Sequence, residues 1–336
     1  MGFKRLDAED FVVSADAVQS VAWSTGQATL TEFFTSSVQA GGSSGNYYLS
    51  VYQTASSVST AAVQFDIAYA DVSGLGSEYY DAAYTSRTPS STNYGQYRSM
   101  ILEDENATFT VGSGNNTFTL NNFWVISPER ARYKEKMFPG TFNLVLSGSN
   151  GTVHLTDNSN DTSIQSFLGS CRVFQIVSGS NGSSFDGNGE VTNSGSYGLF
   201  LPDMATIILN PYAISQSIHV AADRTANLTN GTTQATLYNS LELGESFQLN
   251  SEETITSDYI FVRARNSEFN YSQNPTFIDS STGGVRYTDF INAPQTFITT
   301  VGLYNDNNDL LATAKLSKPL KKDFTKEALV RIKLDF

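Results

Sequence analysis

The sequence predicts a mainly β protein, built as antiparallel sandwich-like domains with a few short helices. Three observations carry this. Short runs alternating apolar and polar residues recur along the chain. They are separated by Asn-Gly, Ser-Gly and Gly-Ser pairs, which punctuate tight turns. Phe and Tyr are abundant, 22 and 17 of 336 residues, while charged residues make up only 16%. Aromatic side chains suit a pleated, half-buried surface, and soluble domains average about 25% charge, so much of the surface is uncharged and polar.

TAAVQFDIAYADV (60–72) places Val63, Phe65, Ile67 and Tyr69 on one strand face. ATFTVGSGNNTFTL (107–120) reads as a hairpin around SGNN, and GTVHLTD (151–157) and RVFQIVSG (172–179) read as further strands. Residues 178–198 form a polar Gly/Ser stretch, expected to be a long loop or a domain edge. GLFLPDMATIILNP (198–211) returns to the continuous apolar character of buried strands.

Two helices are expected. STNYGQYRSMILE (91–103) brings Tyr94, Tyr97 and Ile101 to one face. In FWVISPERARYKEKMFPG (123–140), Ser127 suits an N-cap, Pro128 the first helical position and Glu129 the positive end of the dipole, and Pro139-Gly140 ends the run. The segment therefore reads as strand, short helix over 127–137, strand, with Arg130, Arg132, Lys134 and Lys136 on the solvated or partner-facing side.

Toward the end, DYIFVRARN (258–266) reads as a strand and residues 295–316 as a hairpin turning at Asp306–Asn308. ALVRIKLDF (328–336) puts Val330, Ile332, Leu334 and Phe336 on one face. Pro319 is expected to break the chain before that strand, which should pair with the hairpin. The length suggests three regions: 1–90, 91–255 and 256–336.

Net charge is −13, which repels a phosphate backbone, so no nucleic-acid partner is expected. Residues 315–336 carry seven basic and three acidic residues, a net of +4 that leaves −17 on the rest. Either the basic end meets an acidic neighbour head to tail, or its lysines, with Lys321 and Lys322 on the surface, guard an edge strand. Cys171 stands alone, which excludes an internal disulfide and reads as a small buried apolar residue. His154 and His219 each lie in strand-like runs and read as structural. No G-x-S-x-G elbow, P-loop, dinucleotide fingerprint or H-E-x-x-H is present. DNSNDT (157–162) and DGNGE (186–190) lack the Gly and Glu of a calcium loop and read as polar turns. No metal, cofactor or catalytic residue is expected. Neither a signal-peptide core nor a membrane span is expected.

Four elements together resemble a family of virion structural proteins of contractile-tailed phages of cyanobacteria and marine bacteria. They are Y-x-Q-Y-R at Tyr94–Arg98, R-x-R-Y-K-x-K-x-x-P-G-x-F at Arg130–Phe142, F-I-T-T-V-G-L-Y-N-D at Phe297–Asp306, and K-L-D-F at Lys333–Phe336. The match covers the chain from about residue 90 onward. The resemblance implies a non-enzymatic subunit of the phage tail, at the baseplate, assembled in the bacterial host cytoplasm. It implies other virion proteins and further copies of the chain as partners. On this reading Arg130, Arg132, Lys134, Lys136, Lys321, Lys322 and Phe336 are the candidate assembly contacts. Rival readings are a carbohydrate- or receptor-binding module of a fibre, a neck or head-surface protein, and a depolymerase drawing on dispersed carboxylates.

Overall fold

The computed structural model describes residues 3–35, 47–163, 165–187, 189–191, 193–229 and 231–335. The described chain is mainly β, 42% strand against 16% helix, with antiparallel sheets. Where three regions were expected, it forms two compact units. A body comprises Val18–Glu253, and a terminal unit comprises Met1–Ala17 with Thr254–Phe336. The first 90 residues are thus shared, and most of them build the body.

The body is organised on one large sheet. Along it run Thr29–Leu30, Phe247–Gln248, Asn143–Gly148, Gly151–Asp157, Cys171–Ser180, Gly198–Leu201, Thr206–Leu209, Asn122–Pro128, Val63–Asp71, Tyr48–Tyr52 and Phe34–Thr35. Neighbours pair antiparallel, as in Ile207↔Ile126 and Ile67↔Ile126. Its central strands are buried on both faces, which is why they read as continuous apolar runs. Phe65, Ile67, Tyr69, Trp124, Ile126, Phe200, Ile207 and Leu209 enter one core. The intervening Ala68, Ala70, Phe123, Val125, Leu199, Leu201 and Ile208 enter a second on the opposite, outer face.

The sheet curls around the first core, which also takes Ala213, Ile214 and Ile218 from the helix Pro211–Ile218 and Leu237 and Leu241 from the helix Thr232–Gly244. The second core is covered by the helix Pro89–Leu102 and the hairpin Phe109–Val111 with Phe118–Leu120. That helix matches the expected one. Thr88 caps it through Ser91 N (3.4 Å), Pro89 occupies its first turn, and Tyr94 and Ile101 are buried. Cys171 is buried in the second core, as its isolation suggested. The polar stretch 178–198 is not a domain edge. Ser194 and Ser196 are buried, and their carbonyls accept from Asn210 Nδ2 at 2.6 and 2.9 Å.

The expected helix over 127–137 does not form. Asn122–Pro128 is strand, one 3-10 turn covers Arg130–Arg132, and Lys136–Met137 is strand again. Its amide groups bond elsewhere: Glu129 N donates to Gln64 O (2.9 Å), Lys134 N to Ser251 Oγ (2.7 Å) and Phe138 N to Asn250 O (2.9 Å). Helix propensity is worth tenths of a kcal/mol per residue, and a set of long-range ladder bonds outweighs it.

In the terminal unit, Ala328–Asp335 pairs with the strand Asn250–Ala264, from Ser257↔Asp335 to Ala264↔Ala328, and not with the hairpin. The hairpin Gln295–Tyr304 with Leu310–Asp323 turns as expected, with Asn308 at φ 64°, a left-handed conformation that Asn tolerates. Pro319 does not break the chain. It lies inside the second arm, where the register shifts between Ile298↔Leu320 and Thr300↔Lys315, the kind of irregularity that accommodates a residue with no amide donor.

Candidate functional site

The basic residues of 130–136 do not share a face. Arg130 Nη1 donates to Tyr133 O at 2.6 Å, and its guanidinium stacks 4.7 Å from the Tyr133 ring centroid. Lys134 is exposed, 4.0 Å from Glu253, a surface pair worth about 0–1 kcal/mol. Arg132 Nε is buried without a hydrogen-bond partner. Lys136 is turned inward, 3.4 Å from the buried Glu252. Glu252 also receives Arg172 at 3.5 Å, and Arg172 forks onto Asp203 at 2.7 and 3.0 Å. Burial alone would raise the Asp203 pKa, but the hydrogen bonds and charge of Arg172 hold it below the ordinary 3.8. Lys136 is therefore part of an internal charge network, while Arg130 and Lys134 are exposed.

Of the C-terminal candidates, Lys321 is on the surface, 3.7 Å from Asp323. Lys322 corrects the expectation, being fully buried. Its ammonium donates to Asn270 Oδ1 (2.7 Å), Asn266 O (3.0 Å) and Asp323 O (3.0 Å), which satisfies all three of its protons. The strand period explains the inversion. Ala312, Ala314, Leu316 and Leu320 are the less exposed positions of this arm, and Lys322 continues the same alternation. Phe336 lies outside the described residues.

The terminal unit has an unusual balance of apolar surface. Among its described residues the buried apolar ones are Ile260, Ala264, Ala328 and Ile332, two of them alanine. Among the described residues both hydrophobic cores belong to the body. Meanwhile Phe297, Leu310, Leu311, Phe324, Leu329 and Ile291 are all more than half exposed. A unit of this size that folded for its own sake would bury such side chains at about 1.5–3 kcal/mol each.

A cleft of about 410 Å³ lies in the body between the helix Pro89–Leu102 and the outer sheet face. The sheet supplies Tyr48, Asp66, Ala68 and Ser127, and the helix Thr92, Asn93, Gln96 and Tyr97. The ladder explains why a hollow opens here. Ala68 is paired between Tyr48 and Val125, so a small side chain sits between two large ones. One row along, Ser50, Asp66 and Ser127 replace the apolar row of the second core. Asp66 Oδ1 is buried with no partner, and burial pushes the carboxyl pKa up, with Ser50 opposing and nearby Glu129 adding to the rise. The cleft was not expected from sequence; its one local signal is an Asp in the middle of a largely apolar strand.

Elsewhere, Asp157 accepts from Gly140 N (2.9 Å) and Ser159 N (3.0 Å), so the start of DNSNDT organises a turn. His154 and His219 are both exposed. Among the described residues no three His, Cys, Asp or Glu side chains gather as a metal site, and no helix is long and apolar enough to cross a membrane. No family model, curated protein or solved structure matches the chain.

Proposed function

We propose that this chain is a non-enzymatic structural subunit of a contractile-tailed phage virion, placed in the tail at the baseplate and acting through protein–protein contacts with other virion proteins and further copies of itself. The observation that carries the reading is the terminal unit. Its ladders are formed, yet few of its apolar side chains are fully buried, several large ones are more than half exposed, and it lacks a core cluster of its own among the described residues. Exposed apolar surface on this scale marks an interaction surface, and interfaces of permanent assemblies resemble a domain core cut in half. Two of the four elements of the phage resemblance, Phe297–Asp306 and Lys333–Phe336, fall in this unit. Lys315, Lys318, Lys321 and Lys326 are exposed beside the apolar residues and add a charge suited to the acidic rest of a neighbouring copy.

The body fits the role of a rigid platform. Its two cores lock the large sheet from both faces. The test is cryo-electron microscopy of a phage particle that encodes the chain. Density for the curled sheet in the tail, in symmetry-related copies with the 295–323 hairpin covered, supports the reading. A chain missing from purified particles, or present with that hairpin in solvent, contradicts it.

A further inference from the structure

We propose that the cleft between the helix Pro89–Leu102 and the outer sheet face binds a neutral, hexose-sized unit of a glycan. This stands apart from the assembly reading, which concerns the other unit.

Size and chemistry both point this way. A volume of about 410 Å³ lies in the lower part of the roughly 300–1,000 Å³ range of small-ligand pockets. Asp66 lines the cleft; Ser50 serves its carboxyl, while Oδ1 is buried without a hydrogen-bond partner, and a buried acceptor left unpaired costs about 1–3 kcal/mol. A small shift of the cleft walls as a ligand enters lets a hydroxyl donate to Oδ1 and recovers that cost. The position of Asp66 opposite Ser50 and Ser127 is fixed by the ladder on both sides.

The rest of the lining completes the case. Tyr47 and Tyr48 are 37% and 47% exposed at the rim, where aromatic rings can cover the apolar C–H face of a sugar ring. Gln96 and the hydroxyls of Tyr47 and Tyr48 both donate and accept, matching hydroxyls that do the same, while Thr92 gives its proton to Thr88 O at 3.1 Å and Ser127 pairs with the Tyr97 hydroxyl at 3.5 Å. Asn93 is committed to holding the walls, since its Nδ2 donates to Tyr47 O and Tyr69 O, both at 2.9 Å. Among the described residues no Lys or Arg lines the cleft, so a phosphate, sulfate or carboxylate would find no counter-charge there. A compact cation would use the carboxylate and the rings but leave the uncharged polar groups of the lining without a role.

The test is saturation-transfer difference NMR on the full chain with glucose, galactose, mannose, N-acetylglucosamine and their common disaccharides, and with tetramethylammonium and sulfate as separate arms. At least one neutral sugar should give transfer, with affinity of about millimolar, and the two ions should give none. Asp66→Asn should weaken the sugar about tenfold or more. Because Asp66→Asn could disturb the sheet, the double variant Tyr48→Ala/Gln96→Ala is the second arm. Both residues are exposed, so the thermal midpoint should hold while sugar binding falls at least several-fold. Binding of tetramethylammonium without sugar, no transfer from any sugar in the set, or undiminished sugar binding in the double variant would each overturn the proposal.

Discussion

Phe65 and Phe247 meet with ring centroids 5.2 Å apart and planes at 80°, although their strands are second and ninth of eleven along the sheet. Trp23 bridges them, 6.0 Å from Phe65 and 4.9 Å from Phe247, and its Nε1 donates to Phe247 O at 3.0 Å. The contact is possible only because the sheet curls until distant strands share one core. Phe247 also meets Phe142 at 6.0 Å. Phe247→Ala should therefore cost the body about 3–5 kcal/mol, typical of a large cavity in a core. Urea unfolding followed by tryptophan fluorescence would measure it.

The two adjacent lysines 321 and 322 should respond oppositely to charge reversal. Lys322→Glu would bury a carboxylate against three oxygen acceptors, Asn266 O, Asn270 Oδ1 and Asp323 O. It should cost about 3 kcal/mol or more and disrupt the hairpin, visible as rapid proteolysis there. Lys321→Glu should change stability by no more than about 0.5 kcal/mol. If the exposed lysines touch an acidic neighbour, Lys321→Glu lowers incorporation into particles, and more so at low salt.

Asp203 gives a pH signature. Its pKa is depressed below 3.8 by Arg172, so the folded state favours the charged form. That stabilisation is present above the unfolded value and is lost as pH falls through the depressed one. The stability gap between the wild type and Asp203→Asn should hold steady from neutral pH to about 5 and close only well into the acid range. Denaturation midpoints across pH would show it.

Deleting residues 328–336 removes the ladder partner of Ser257–Ala264 and two of the four buried apolar residues of the terminal unit. The terminal unit should then become protease-sensitive while the body, whose cores it does not supply, keeps its cooperative unfolding. Limited proteolysis with mass spectrometry separates the two outcomes.

Local pattern made much of this legible in the sequence. Phe65, Ile67 and Tyr69 alternate, the run TIIL lies in a strand buried on both faces, and Tyr94 and Ile101 share a helix face, each as read. The failures have one cause in common, competition from distant residues. The 127–137 segment has the composition of a helix, but its amides go to Gln64, Asn250 and Ser251. Lys322 looked like surface because of its charge, although it continues the alternation of Ala312, Ala314, Leu316 and Leu320; the acceptors that satisfy it, Asn266 and Asn270, are more than fifty residues away. Lys136 looked free because Glu252 is 116 residues away. The cleft was invisible for the same reason, since Tyr48, Asp66, Gln96 and Ser127 meet only once the sheet and helix are in place.

The central claim is that virion neighbours cover the apolar surface of the terminal unit. Hydroxyl-radical footprinting of the purified chain and of intact particles measures that directly, residue by residue. Phe297, Leu310, Leu311 and Phe324 should oxidise readily in the free chain, given their exposure, and should be strongly protected in the particle, while Trp124 and Phe200 stay protected in both. Equal reactivity of those four residues in the two states, or no peptide of this chain in the particle, would contradict the claim.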